Sequence, residues 1–125
     1  MAFRIFTVAE ARQFLPELQD RARELITLRA DTTELADAVR EGRPSTLGGQ
    51  AEYKAGEARV HELLEWIVGA GLEPKSIAPL LIDFHAEIDG QLVLLCWLEN
   101  EPALEWYHKP EYGFSGRRPI PPDWP

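Results

Sequence analysis

The dipeptide Asp89-Gly90 constrains this chain more than any other feature. It separates two runs rich in aliphatic and aromatic residues, Leu80 to Ala86 and Gln91 to Leu98. Such a pair between two apolar runs favours a two-residue hairpin turn. The turn fixes a register in which Ile88 faces Gln91, His85 faces Leu94 and Asp83 faces Cys96. Because side chains alternate along a strand, Leu81, Asp83, His85, Leu94, Cys96 and Leu98 share one face. Ile82, Phe84, Ala86, Val93, Leu95 and Trp97 share the other, which is the purer apolar face. Ala103 to His108 supplies a third strand after the turn Glu99-Asn100-Glu101-Pro102. The remainder, through Gly113, Gly116 and the prolines from Pro119 to Pro125, reads as an extended tail.

Before Pro74 the period is helical. Thr7 to Glu10 has the capping-box pattern that opens a helix. Ala11, Phe14, Leu18, Leu25, Leu28, Leu35 and Val39 then recur at coiled-coil spacing, with Arg21 and Thr32 as polar exceptions. The pattern predicts helix from Val8 to Arg40, broken or bent near Pro16, which cannot donate an amide hydrogen bond. Gly42 to Gln50 is a loop by composition. A second helix is expected from Ala51 to Ala70, with Gly71 as the left-handed residue past its end. The expected architecture is therefore α+β and a single domain over residues 1–125. A helical hairpin occupies 1–72, and a small antiparallel β-meander with its Pro-rich tail occupies 73–125. Both helical stripes approximate a heptad, so homodimerisation through the helices is expected.

The chain has 125 residues, one cysteine (Cys96) and a formal net charge of −8. A lone cysteine excludes an intramolecular disulfide. Nucleic acids and anionic membrane surfaces attract cations, so this charge argues against both as partners. The longest apolar run, Leu92 to Leu98, is far short of the roughly 20 residues that span a bilayer. Arg4, Glu10 and Arg12 interrupt any signal-peptide core. A cytoplasmic protein is the expectation. No Gly-rich phosphate loop, paired CxxC, HExxH or Ser-centred elbow is present, which removes the common enzyme classes.

The stretch Leu81 to Arg117 reads Leu-Ile-Asp-Phe, then Asp-Gly, Leu-Cys-Trp, Glu-Pro, Trp-Tyr-His and Gly-Phe-Ser-Gly-Arg. It resembles a prokaryotic domain-of-unknown-function family with an Asp-Phe strand, a Leu-Cys-Trp strand, a Gly-Glu turn, a Trp-His pair and a Gly-Phe-x-Gly-Arg loop. The Phe-Thr opening and the Leu-Pro of the first helix extend the likeness over nearly the whole chain. Asn100 stands where that family usually has glycine, and His85 where it often has proline. By position, the resemblance singles out Asp83, Cys96, Trp97, Glu101, His108, Gly113, Gly116 and Arg117.

Physically, these residues point to a convergent site at one end of the sheet. Asp83, Glu101 and His108 are the candidate catalytic residues and also the candidate ligands for a divalent transition metal, since a carboxylate, an imidazole and a thiol such as that of Cys96 can together ligate such an ion or serve as base, acid and nucleophile. Arg117, able to hold a carboxylate or phosphate through two hydrogen bonds, and Trp106 are candidate binding residues for a small anionic ligand. The plain structural alternatives are equally concrete. Cys96 would be a small buried hydrophobe, and Asp83 would pair with Arg117 or a backbone amide. Glu101 would cap a turn, and His108 would hydrogen-bond at a strand end. Two functions follow: a binding or interaction protein whose polar cluster takes a small anion, or a metal-dependent or acid/base enzyme acting on a small anionic substrate there.

Overall fold

The computed structural model describes residues 3–125. Two helices, α1 (Val8–Glu41) and α2 (Gln50–Gly69), precede five strands: β1 (Glu73–Ile77), β2 (Leu80–Ile88), β3 (Gln91–Leu98), β4 (Trp106–His108) and β5 (Arg118–Pro119). The sheet is an antiparallel meander in the order β1-β2-β3-β4-β5. The α+β layout expected from the sequence is what forms.

Thr7 caps α1 as anticipated. Its hydroxyl accepts from the Glu10 amide at 3.0 Å, and the Glu10 carboxylate accepts from the Thr7 amide at 2.8 Å. Pro16 does not divide the helix: it is exposed inside one uninterrupted element, where its ring faces solvent. Gly71 has φ +88°, and its carbonyl accepts from the Arg4 amide at 3.1 Å. A Cβ there would lie 2.4 Å from the Arg4 Cβ, so the turn requires glycine twice over.

The helices pack as a hairpin. Thr32, a polar exception in the α1 stripe, sits where Gly56 lets α2 approach; a Cβ on Gly56 would come within 2.5 Å of the Thr32 methyl. The helical stripe is broader than a heptad. Leu15, Ala22 and Ala38 are buried beside Ala11, Leu18, Leu25 and Leu35, whereas Val39 is only half-buried. The Ala11 to Leu25 part of this face lies on the sheet face carrying Ile82, Phe84, Ala86, Val93, Leu95 and Trp97, and together they form one core, with Leu35 and Ala38 outside it. Phe84 sits among Phe6 and Phe14, with ring centroids at 5.2 and 6.3 Å in edge-on contacts.

The β2–β3 register matches the expectation pair for pair, from Ile88↔Gln91 to Asp83↔Cys96. Asp89 and Gly90 have φ of +52° and +78°, as the favoured hairpin turn demands. Three differences concern the edges. β1, which the sequence reading left out, is an edge strand that tolerates Pro74 through an irregularity between Pro74 and Ser76. The third strand starts only at Trp106, because Leu104 turns into the core instead. The tail is not simply extended. It makes a 3₁₀ turn at Phe114–Gly116, and then β5 pairs with β4. No helix among the described residues is long and apolar enough to cross a membrane.

Candidate functional site

With one sheet face committed to the core, the other carries the chemistry. Its register rows place Asp83, Cys96 and Trp106 side by side on β2, β3 and β4, with His85, Leu94 and His108 in the next row. His108 thus lies diagonally across from Cys96 and reaches Asp83. Its Nε2 is 3.2 Å from the Asp83 Oδ2. The late start of β4 makes this possible, because His108 is only the third residue of its strand.

Asp83 and Cys96 are 0% exposed and His108 3%. One ligand atom from each, an Asp83 carboxylate oxygen, the Cys96 Sγ and a His108 ring nitrogen, lies within 4.8 Å of the other two. The His108 Nδ1 is 2.9 Å from the Lys109 carbonyl, which can only accept, so Nδ1 carries the proton. Nε2 is thereby left facing Asp83. Burial pushes the Asp83 carboxyl above its ordinary range, and the nearby His108 opposes that shift. The Cys96 thiol adds a weak hydrogen bond to this carboxylate, and the second oxygen, Oδ1, is buried without a partner of ordinary hydrogen-bond geometry among the described residues.

Glu101 and Arg117 form a separate clamp. An Arg117 terminal nitrogen donates to Glu101 Oε1 at 2.7 Å and to the Cys96 carbonyl at 3.0 Å. The same Glu101 oxygen accepts from the Leu98 amide at 2.7 Å, closing the turn after β3. The guanidinium lies over the Trp106 and Phe114 rings, 5.3 and 4.9 Å from their centroids. The expected four-residue convergence thus resolves into two pairs, Asp83–His108 and Glu101–Arg117, bridged by Cys96. Arg117 partners Glu101 rather than Asp83, because the 3₁₀ turn brings it to the β3 carbonyl and not over the carboxylate. Glu101, in closing the turn, stands apart from the Asp83–His108 contact.

Sequence reasoning missed the β1 side of this face. His85 Nε2 is 2.7 Å from Glu73 Oε1, Lys75 holds the other Glu73 oxygen at 2.9 Å, and the Phe3 ring stacks on His85 at 4.4 Å. The available signal was Glu73 and Lys75 alternating through a polar segment before β2; without a strand there, neither had a face.

Burial, followed by the neighbouring Asp83 charge, pushes the Cys96 thiol up to about 12. Native protein is therefore expected to react with a disulfide-exchange reagent only as fast as the fold opens, and at once in denaturant. Labelling of the native chain at the rate of a free thiol would contradict this.

The fold and site define a class: an α+β domain whose helical hairpin covers one face of a five-stranded meander, while the other face encloses an Asp–Cys–His cluster. The chain belongs to the uncharacterized conserved protein family DUF2203, whose model matches residues 4–120. No curated protein and no solved structure matches it.

Proposed function

We propose that this chain is a small binding protein whose ligand occupies the enclosed Asp83–Cys96–His108 cluster. The observation that carries the reading is the buried Asp83 Oδ1, which has no partner of ordinary hydrogen-bond geometry among the described residues. Leaving such an acceptor unpaired costs about 1–3 kcal/mol, a cost that a ligand would offset. The enclosure favours binding over turnover of an organic substrate, since the three groups present almost no surface to solvent. The Glu101–Arg117 clamp and the Trp106 ring support the cluster from the β4 side. A cytoplasmic, prokaryotic setting and self-association through the helical hairpin belong to the same proposal; half-buried Leu28, Val39 and Leu47 are among the apolar side chains available to a second copy.

Thermal unfolding of untagged protein against a panel of divalent cations and small anions tests the reading, with native mass spectrometry alongside. One member of the panel is expected to raise the unfolding temperature, and Asp83→Asn to abolish that gain. A native mass equal to the sequence mass, together with no shift from any member, would refute it.

A further inference from the structure

We propose that Asp83, Cys96 and the Nε2 of His108 are the three protein ligands of a single borderline transition-metal ion of the Zn²⁺ and Co²⁺ kind. The inference rests on the cluster being a binding site and names the class of ligand it takes.

The donor set comes first. A carboxylate oxygen, an imidazole nitrogen and a thiolate sulfur together suit zinc-like ions, whereas calcium and magnesium prefer oxygen alone. Next is the pre-orientation of His108. A ligating histidine commonly gives its other ring N–H to a carbonyl or carboxylate, which fixes the tautomer. Here the Lys109 carbonyl accepts from Nδ1 at 2.9 Å, leaving Nε2 facing the cluster. That nitrogen meets a carboxylate oxygen at 3.2 Å. A ring nitrogen and a carboxylate oxygen approach so closely only with a proton or a metal ion between them. Asp83 Oδ1, buried beside the same contact, has no partner of ordinary hydrogen-bond geometry among the described residues.

Spacing is compatible. Bond lengths of about 2.0–2.3 Å in a tetrahedral site put ligand atoms about 3.3–3.8 Å apart. The three atoms already lie within 4.8 Å of one another, so a contraction of about 1 Å closes the site. Charge is compatible too. Without metal, the neutral thiol and the one proton shared by Asp83 and His108 make the cluster neutral. A divalent ion displaces both the thiol proton and the shared proton to solvent. Dication, thiolate, carboxylate and neutral imidazole again sum to zero, so the enclosed face takes up no net charge. Glu101, a ligand candidate from sequence, stands outside this set because its Oε1 already accepts from Leu98 and Arg117.

The test uses full-length protein made without a histidine tag, stripped with chelator and equilibrated overnight with Co²⁺, because the ligands are buried. One ion per chain is expected, with the near-ultraviolet charge-transfer band of a cobalt–thiolate bond, displacement by Zn²⁺ and release of about two protons per ion. Cys96→Ser should lose the band. His108→Gln and Asp83→Asn should each weaken binding at least a hundredfold, beyond the roughly 10–100-fold typical of an outer-shell partner. Circular dichroism of each variant separates lost ligation from lost fold, and Cys96→Ser alone suffices if the other two do not fold. Absence of the band, or its persistence in Cys96→Ser, overturns the metal assignment. If another panel member still stabilises the protein through Asp83, the binding reading survives that failure; if none does, both fall.

Discussion

Leu25→Ala is expected to destabilise the fold by about 2–5 kcal/mol, a large share of the roughly 5–15 kcal/mol that holds a domain together. Leu25 is 0% exposed and belongs to the core between the helices and the sheet. Truncation removes its transfer free energy and leaves a cavity that α1, anchored along its length by Ala22 and Leu18, cannot fill by moving. Leu28, one turn on, is only half-buried, so Leu28→Ala should cost clearly less. The contrast separates folding from self-association. A core loss lowers the urea midpoint by the same amount at every protein concentration, whereas a lost subunit contact lowers it by an amount that grows with concentration. Equal, concentration-dependent losses at both positions would mean that Leu25 serves an interface rather than the core.

Arg29→Met is expected to cost about 2–3 kcal/mol near neutral pH, from severed hydrogen bonds to charged groups. Arg29 donates to both Glu99 oxygens, at 2.7 and 3.1 Å, and to the Ile77 carbonyl at 2.6 Å. Glu99 also accepts from the Leu80 amide. One ion pair thereby ties α1 to the β1–β2 turn and to the end of β3. The pair is largely shielded, with side-chain exposures of 25% and 11%, so solvent screens it only in part. The Arg29 guanidinium holds the Glu99 carboxyl below its ordinary value of 4.5. A carboxyl lowered in the folded state adds stability above its unfolded value, and that stability disappears as pH falls through the folded value. The wild-type advantage over Arg29→Met should therefore be full above pH 4.5 and shrink progressively below it. Urea titrations at stepped pH check this; a difference that stays constant down to pH 2 would show that Arg29 acts through packing alone.

What could be read from the sequence was whatever is written locally. Asp89-Gly90 and the alternation around it determine which face each strand residue takes, and Thr7–Glu10 and Gly71 mark helix ends. Contacts across long stretches of chain leave no such mark. Arg29 looks like any solvated helical arginine, and nothing near it in sequence announces Glu99. The partner of Asp83 is hidden for a related reason. Charge alone favours Arg117, but the 3₁₀ turn at Phe114–Gly116 directs that guanidinium to Glu101, and the brevity of β4 leaves His108 within reach. Cys96 was legible as a buried residue and as the cross-strand neighbour of Asp83. Its place within a three-residue cluster required the third strand's starting point, which a stretch of mixed residues before Trp106 does not disclose.

The turn at Asp89-Gly90 also acts as a frame-keeper for the site. Asp83 and Cys96 meet because they are equally far from it on a strictly paired ladder. One inserted residue between them would rotate Cys96 onto the helix-covered face and bring Leu95 or Trp97 into its place. Length variation in this chain should thus be tolerated in the Gly42–Gly49 loop, which lies remote from the cluster. Between Asp83 and Cys96, by contrast, single-residue insertions and deletions should be as damaging to the site as losing the cysteine itself.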